Sequence, residues 1–88
     1  MKLQGKKILI TGGSSGIGAS TALLCAEEGA QVCFSYRNKK EDAEKIVQKI
    51  KSAGGGARAI AADLSDEKSM ENLVIVACEH MNGIDVLV

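Results

Sequence analysis

The stretch Thr11-Gly12-Gly13-Ser14-Ser15-Gly16-Ile17-Gly18 constrains the fold of this chain more than any other. It follows the apolar run Ile8-Leu9-Ile10, which reads as a buried strand, and opens an alanine- and leucine-rich helical pattern. A glycine cluster directly behind a strand lets the backbone turn sharply and approach a ligand without Cβ obstruction. The helix that follows aims its unpaired first-turn N–H groups, and the positive end of its dipole, at that turn, which suits a pyrophosphate. Glycine turns alone are common and most bind nothing. Here a second apolar strand, Val32-Cys33-Phe34, comes after the helix and supplies the βαβ setting that nucleotide motifs require.

Two generic nucleotide motifs compete for these residues, and neither fits. A P-loop, G-x-x-x-x-G-K-[ST], matches Gly13, Gly18 and Ser20, but Ala19 stands where the lysine belongs. Without that ammonium the loop cannot reach the terminal phosphates of a nucleoside triphosphate, which argues against NTP hydrolysis. The dinucleotide fingerprint G-x-G-x-x-G fails as well, because Gly16 and Gly18 are followed by Thr21 where the third glycine should stand.

A third spacing, T-G-x-x-x-G-x-G, has all four fixed residues in Thr11, Gly12, Gly16 and Gly18, and resembles the cofactor loop of the short-chain dehydrogenase/reductases. The resemblance runs along the whole chain. Gly29-Ala30 precedes the second strand and Tyr36-Arg37 ends it; Ala62-Asp63-Leu64 ends the third; Gly83-Ile84-Asp85-Val86-Leu87-Val88 is similar to the family's fourth. The branch it most resembles contains carrier-protein reductases and sugar dehydrogenases.

Eighty-eight residues, 45% hydrophobic and 25% charged, describe one small globular domain over 1–88. A chain of this size buries only about 60% to two-thirds of its unfolded surface, so its core is marginal unless something else covers it. Eleven basic and eleven acidic side chains cancel, which removes the electrostatic footprint of a nucleic-acid or membrane-surface binder. Residues 1–5 lack the apolar core of a secretory signal, and no run approaches transmembrane length, so the cytoplasm is the expected location. Cys25, Cys33 and Cys78 are odd in number and lack metal-ligand spacing; they read as small buried hydrophobes kept reduced, and no metal site is expected.

A first helix is expected over 16–28, stopped by Gly29, with Ala19, Ala22 and Ala26 small enough for close packing on a sheet. A strand over 31–36 follows, then a helix over 40–53 whose Ala43, Ile46, Val47, Ile50 and Ala53 repeat at helical spacing. Gly54-Gly55-Gly56 follows a helix and precedes a strand, the reverse of the phosphate-binding order, and so reads as a turn into a strand over 57–62. Ser65 or Asp66 can cap a third helix, with Met70, Leu73, Val74, Ala77 and Met81 forming one stripe widened by Ile75 and Val76. Asn82-Gly83 closes it, and a fourth strand spans 84–88.

Alternating strands and helices with right-handed crossovers give an α/β fold, a Rossmann-like parallel sheet of order 3-2-1-4 with helices on both faces. The glycine turn then lies where the connections of strands one and four leave toward opposite faces, at the switch point where a crevice opens.

In such a site the end of the second strand faces the adenosine ribose and sets cofactor preference. Here Tyr36 and Arg37 stand at that place, and no Asp or Glu occurs between Glu28 and Glu41 to repel a 2′-phosphate. Arg37 offers a planar fork matched to phosphate, with Asn38, Lys39 and Lys40 adding donors and charge. NADP is therefore expected over NAD; the alternative is that these cations only solvate a turn. Gly12 shapes the loop, Gly16, Ile17 and Gly18 offer backbone N–H groups to the pyrophosphate, and Ser14 and Ser15 offer hydroxyls. Asp63, with Leu64 beside it, matches by position the family's aspartate at the adenine edge; it can equally brace the start of the third helix. His80 reads as a surface residue near a helix C-terminus.

The resemblance implies hydride transfer between NADP(H) and a carbonyl or alcohol, using a tyrosine, a lysine, a serine and an asparagine. None of these can be placed. Tyr36 is the only tyrosine, and although Tyr36-x-x-x-Lys40 has the spacing of the catalytic pair, it lies at the ribose end of the cofactor. A chain closing inside an apolar strand resembles the front part of something longer, truncated after the fourth strand and inactive alone. An uncovered sheet face and an open edge would favour self-association. A stand-alone nucleotide- or partner-binding module and a non-functional fragment are the competing readings.

Overall fold

The computed structural model describes residues 2–12 and 16–88. Among these, four strands and three helices alternate: β1 (Lys7–Ile10), α1 (Gly16–Glu27), β2 (Gln31–Tyr36), α2 (Lys40–Ser52), β3 (Gly56–Ala61), α3 (Glu67–Met81) and β4 (Val86–Leu87). The strands form one sheet in the order β3-β2-β1-β4, every pair parallel. This is the Rossmann-like arrangement expected from the sequence. In register, Ile10 stands beside Phe34, and Phe34 beside Ala59.

The two inner strands are buried on both faces, which is why they read as continuous apolar runs with no alternation. Ile8, Ile10, Val32 and Phe34 point to the face covered by α1 and α2, where they meet Ala22, Ala43, Ile46 and Ile50. Leu9 and Cys33 point to the opposite face and join Ile60, Leu73, Ala77 and Met81 under α3. Helices thus cover both faces, two on one side and one on the other.

Local chemistry sets the helix ends. Gly29 has φ +93°, a left-handed conformation that costs glycine little, and the bond from Ala30 N–H to Cys25 C=O closes α1 in a Schellman turn. Asn82 ends α3 with φ 62°, and Gly83 N–H returns to Cys78 C=O in the same pattern. Of the two candidate caps for α3, Asp66 serves: its carboxylate accepts the Lys68 N–H at 3.1 Å.

Several expectations are corrected. β3 begins at Gly56, one residue earlier than expected, because Gly56 pairs with Gln31. β4 is limited to two residues, since the Asp85 carboxylate takes the Lys7 N–H and regular pairing starts only at Val86. Val74 and Ile75 stay exposed, so the buried stripe of α3 is narrower than the sequence pattern implied. Of the cysteines only Cys33 is buried, while Cys25 is half-buried and Cys78 exposed. Cys78 follows Ala77 by one residue, about 100° around the helix, which takes it off the stripe facing the sheet.

Candidate functional site

The carboxyl ends of β1, β2 and β3 come together around a cleft of about 290 Å³, lined by Gly12, Ser35, Tyr36, Arg37, Ala62, Asp63, Leu64 and Ser65. Sequence reasoning placed Gly12, Tyr36, Arg37, Asp63 and Leu64 in one site, and the fold brings these five to one cleft. Asn38 lies outside it, against Lys39, Lys40 and the start of α2. Ser14 and Ser15 lie outside the described residues.

Gly12 follows β1 with φ +75°, and a Cβ built there would meet nothing within 4 Å among the described residues. The same open space surrounds Gly16, the first residue of α1, with φ +59°. α1 opens with Gly16, Ile17 and Gly18, whose amides lie in the first turn, where a helix has no partner of its own for its N–H groups. Two anchors fix the departing chain. Thr11 gives both its N–H and its hydroxyl to Val88 C=O, each at 3.1 Å, and Gly12 gives its N–H to Ser35 Oγ at 2.8 Å.

Across the cleft, Asp63 accepts two bonds on one carboxylate oxygen, Oδ1: from Ser65 Oγ at 2.7 Å and from Ser65 N–H at 3.0 Å. These bonds, with the charge of Arg37, hold the Asp63 carboxyl below the usual carboxylate range. The Asp63 N–H donates to Ser69 Oγ at 2.8 Å, so Asp63 does brace the entry to α3, as one of its two expected roles required.

Tyr36 packs part of its side chain against the cluster under α1 and α2, and its C=O accepts the Ala62 N–H. Lys40, the other half of the Tyr-x-x-x-Lys spacing, is an exposed first residue of α2. His80 is exposed in the last turn of α3, where its Nδ1 lies 3.5 Å from the Arg58 guanidinium. No group of three or more His, Cys, Asp or Glu side chains among the described residues could hold a metal ion.

Larger depressions lie elsewhere. One of about 670 Å³ sits at the amino ends of the strands, bounded by Leu23, Ala26, Ile50 and Gly54 to Gly56. There α1 and α2 present their carboxyl ends, whose dipoles disfavour anions, and Gly54 and Gly55 turn the chain into β3, which takes in Gly56. Sequence reasoning missed Ser35 and Ser69, and weighed Ser65 only as a cap for the third helix. The signal for Ser35 was present as a serine directly after the apolar run Val32-Cys33-Phe34.

A parallel 3-2-1-4 sheet with a glycine turn after its first strand defines a Rossmann-like α/β protein. The family model described as short chain dehydrogenase matches residues 6–88, and the chain belongs to that family. It is 41% identical over 86 residues to a versicolorin reductase of Emericella nidulans, covering 98% of this chain and 33% of that protein. It is 43% identical over 88 residues to a glucose 1-dehydrogenase of Gluconobacter oxydans, covering 99% and 33%. Among solved structures, a short chain dehydrogenase from Burkholderia cenocepacia in complex with NADP superposes with a TM-score of 0.96 at 41% identity, covering 99% of this chain and 36% of that one. The chain spans about a third of the length of the curated relatives it matches. No helix among the described residues is long and apolar enough to cross a membrane.

Proposed function

We propose that residues 1–88 form a single domain, the NADP(H)-holding portion of a short chain dehydrogenase whose complete form transfers hydride between NADP(H) and a carbonyl or alcohol. The observation that carries this reading is the shared cleft: Gly12, Arg37 and Asp63 arrive from three different loops at one opening. The bound nicotinamide dinucleotide would supply the hydride donor or acceptor.

The chain's own residues fit such a group. Open space at Gly12 and Gly16 lets the pyrophosphate lie against the backbone, and the α1 amides of Gly16, Ile17 and Gly18 face its charge. Arg37 pairs with the 2′-phosphate by charge-assisted bonds, with Tyr36 beside it at the end of β2 and Asn38 just beyond the cleft. Asp63 stays ionised, and since Ser65 occupies Oδ1, Oδ2 is left to accept from the adenine amine while Leu64 contacts the ring. None of the residues present takes the part of the family's catalytic tyrosine and lysine, so this chain by itself binds without turnover.

Saturable binding of NADP to the purified chain, weaker binding of NAD, and no exchange of hydride with alcohols or carbonyls are the expected results. Absence of binding by a folded chain would defeat the reading. We also propose that the chain resides in the cytoplasm, where free thiols persist. Self-association through β4 belongs to the same reading, because Val86 and Leu87 leave an apolar strand edge exposed.

A further inference from the structure

We propose that Ser35 is a positioning residue of the dinucleotide site, setting the glycine loop from beneath; the inference rests on the nucleotide reading above. Ser35 is the one buried polar side chain found among the described residues, at 1% exposure. Strand alternation places it on the α3 side with Cys33, because Val32 and Phe34 belong to the opposite cluster. A hydroxyl in that position carries a desolvation cost that an alanine would not, and the hydrogen bond to Gly12 offsets it.

The 2.8 Å bond does two things. It occupies the Gly12 N–H, which is thereby removed from the donors facing a phosphate and leaves that task to the α1 amides. It also ties Gly12, two residues past β1, sideways to β2, while Thr11, one residue earlier, is tied to Val88 beyond β4's last residue. The loop's point of departure is clamped from both neighbouring strands, at a glycine whose φ of +75° few other residues adopt. An entry to the loop that is fixed before ligand arrives loses less conformational freedom on binding.

Ser35 acts through the loop, and so on the pyrophosphate that NADP and NAD share, whereas Arg37 reads the 2′-phosphate. The test separates the two. The full chain, with Ser35→Ala and Ser35→Thr, is titrated with NADP, NAD and adenosine 2′-monophosphate, which lacks the pyrophosphate, and exchange of the Gly12 amide is followed without ligand.

Ser35→Ala should weaken both dinucleotides about five- to tenfold, the equivalent of one hydrogen bond. It should leave the monophosphate within about twofold and speed Gly12 exchange, while Ser35→Thr, which keeps the hydroxyl, restores both dinucleotide affinities and slow Gly12 exchange. Unchanged dinucleotide binding, an equal loss of the monophosphate, or unchanged Gly12 exchange would overturn the proposal. A folded wild type that binds none of the three ligands overturns the nucleotide reading itself, and the role of Ser35 falls with it.

Discussion

Ser65 gives both its hydroxyl and its backbone N–H to a single oxygen of Asp63, at 2.7 and 3.0 Å. Donors fixed to the ionised form favour it, which is why the Asp63 carboxyl titrates below its ordinary 3.8. A carboxyl depressed in the folded state contributes stability that is present above its unfolded pKa and is lost as pH falls through the folded one. Ser65→Ala should therefore move the Asp63 carboxyl back up, as read by carbon-detected NMR titration. A titration curve unchanged by the substitution would show that Arg37 or another charge dominates.

Arg37 is exposed at the end of β2 and borders the same cleft as Asp63. Removing a charge-assisted phosphate contact costs about 1.5–3 kcal/mol, so Arg37→Ala should weaken NADP roughly 10- to 100-fold and leave NAD nearly unaffected. Titration of both dinucleotides against both proteins checks this. An unaltered NADP/NAD ratio would mean that the cations after β2 only solvate a turn.

The three thiols sit in different surroundings and should report them. Burial pushes the Cys33 thiol up to about 11, against a small opposing pull from Arg58, its register neighbour on β3. Exposed Cys78 should react first with an aromatic disulfide at pH 8, half-buried Cys25 more slowly, and Cys33 only on unfolding. Stability that rests on a protonated Cys33 is fully present below the ordinary thiol pKa of 9.0 and is lost as pH rises through about 11. Rapid reaction of all three thiols in the folded chain would contradict the burial.

Phe34 is fully buried at the centre of the sheet and is the largest side chain in the core. Phe34→Ala should cost about 3–5 kcal/mol, comparable to the whole stability of a small domain, and leave the chain largely unfolded by circular dichroism. Ile17 is 87% exposed, and truncating it should change the melting midpoint little by comparison.

Val86 and Leu87 hold the outer edge of the sheet with only β1 as a partner. Leu87→Lys places a charge on that edge and should shift the chain from associated species to monomer in sedimentation velocity while the helical spectrum persists. A wild type that is monomeric up to millimolar concentration would dispose of self-association.

The sequence by itself determined what neighbouring residues decide together. The strand Ile8 to Ile10, the glycine turn behind it, the stop of α1 at Gly29 and the 3.6-residue stripe of α2 follow from local backbone preference and periodicity. The 3-2-1-4 order followed as well, since parallel strands joined by helices have few ways to connect. Tertiary structure decided what depends on residues far apart in the chain. That Ser35 meets Gly12 across 23 positions, that Thr11 meets Val88, and that Asn38 falls outside the cleft holding Arg37 depend on register and strand twist, which no short window contains. The exposure of Val74, Ile75 and Cys78 was settled in the same way. Their apolar character gives a tendency to be buried, but burial needs a surface to pack against, and a single sheet face can cover only one side of α3.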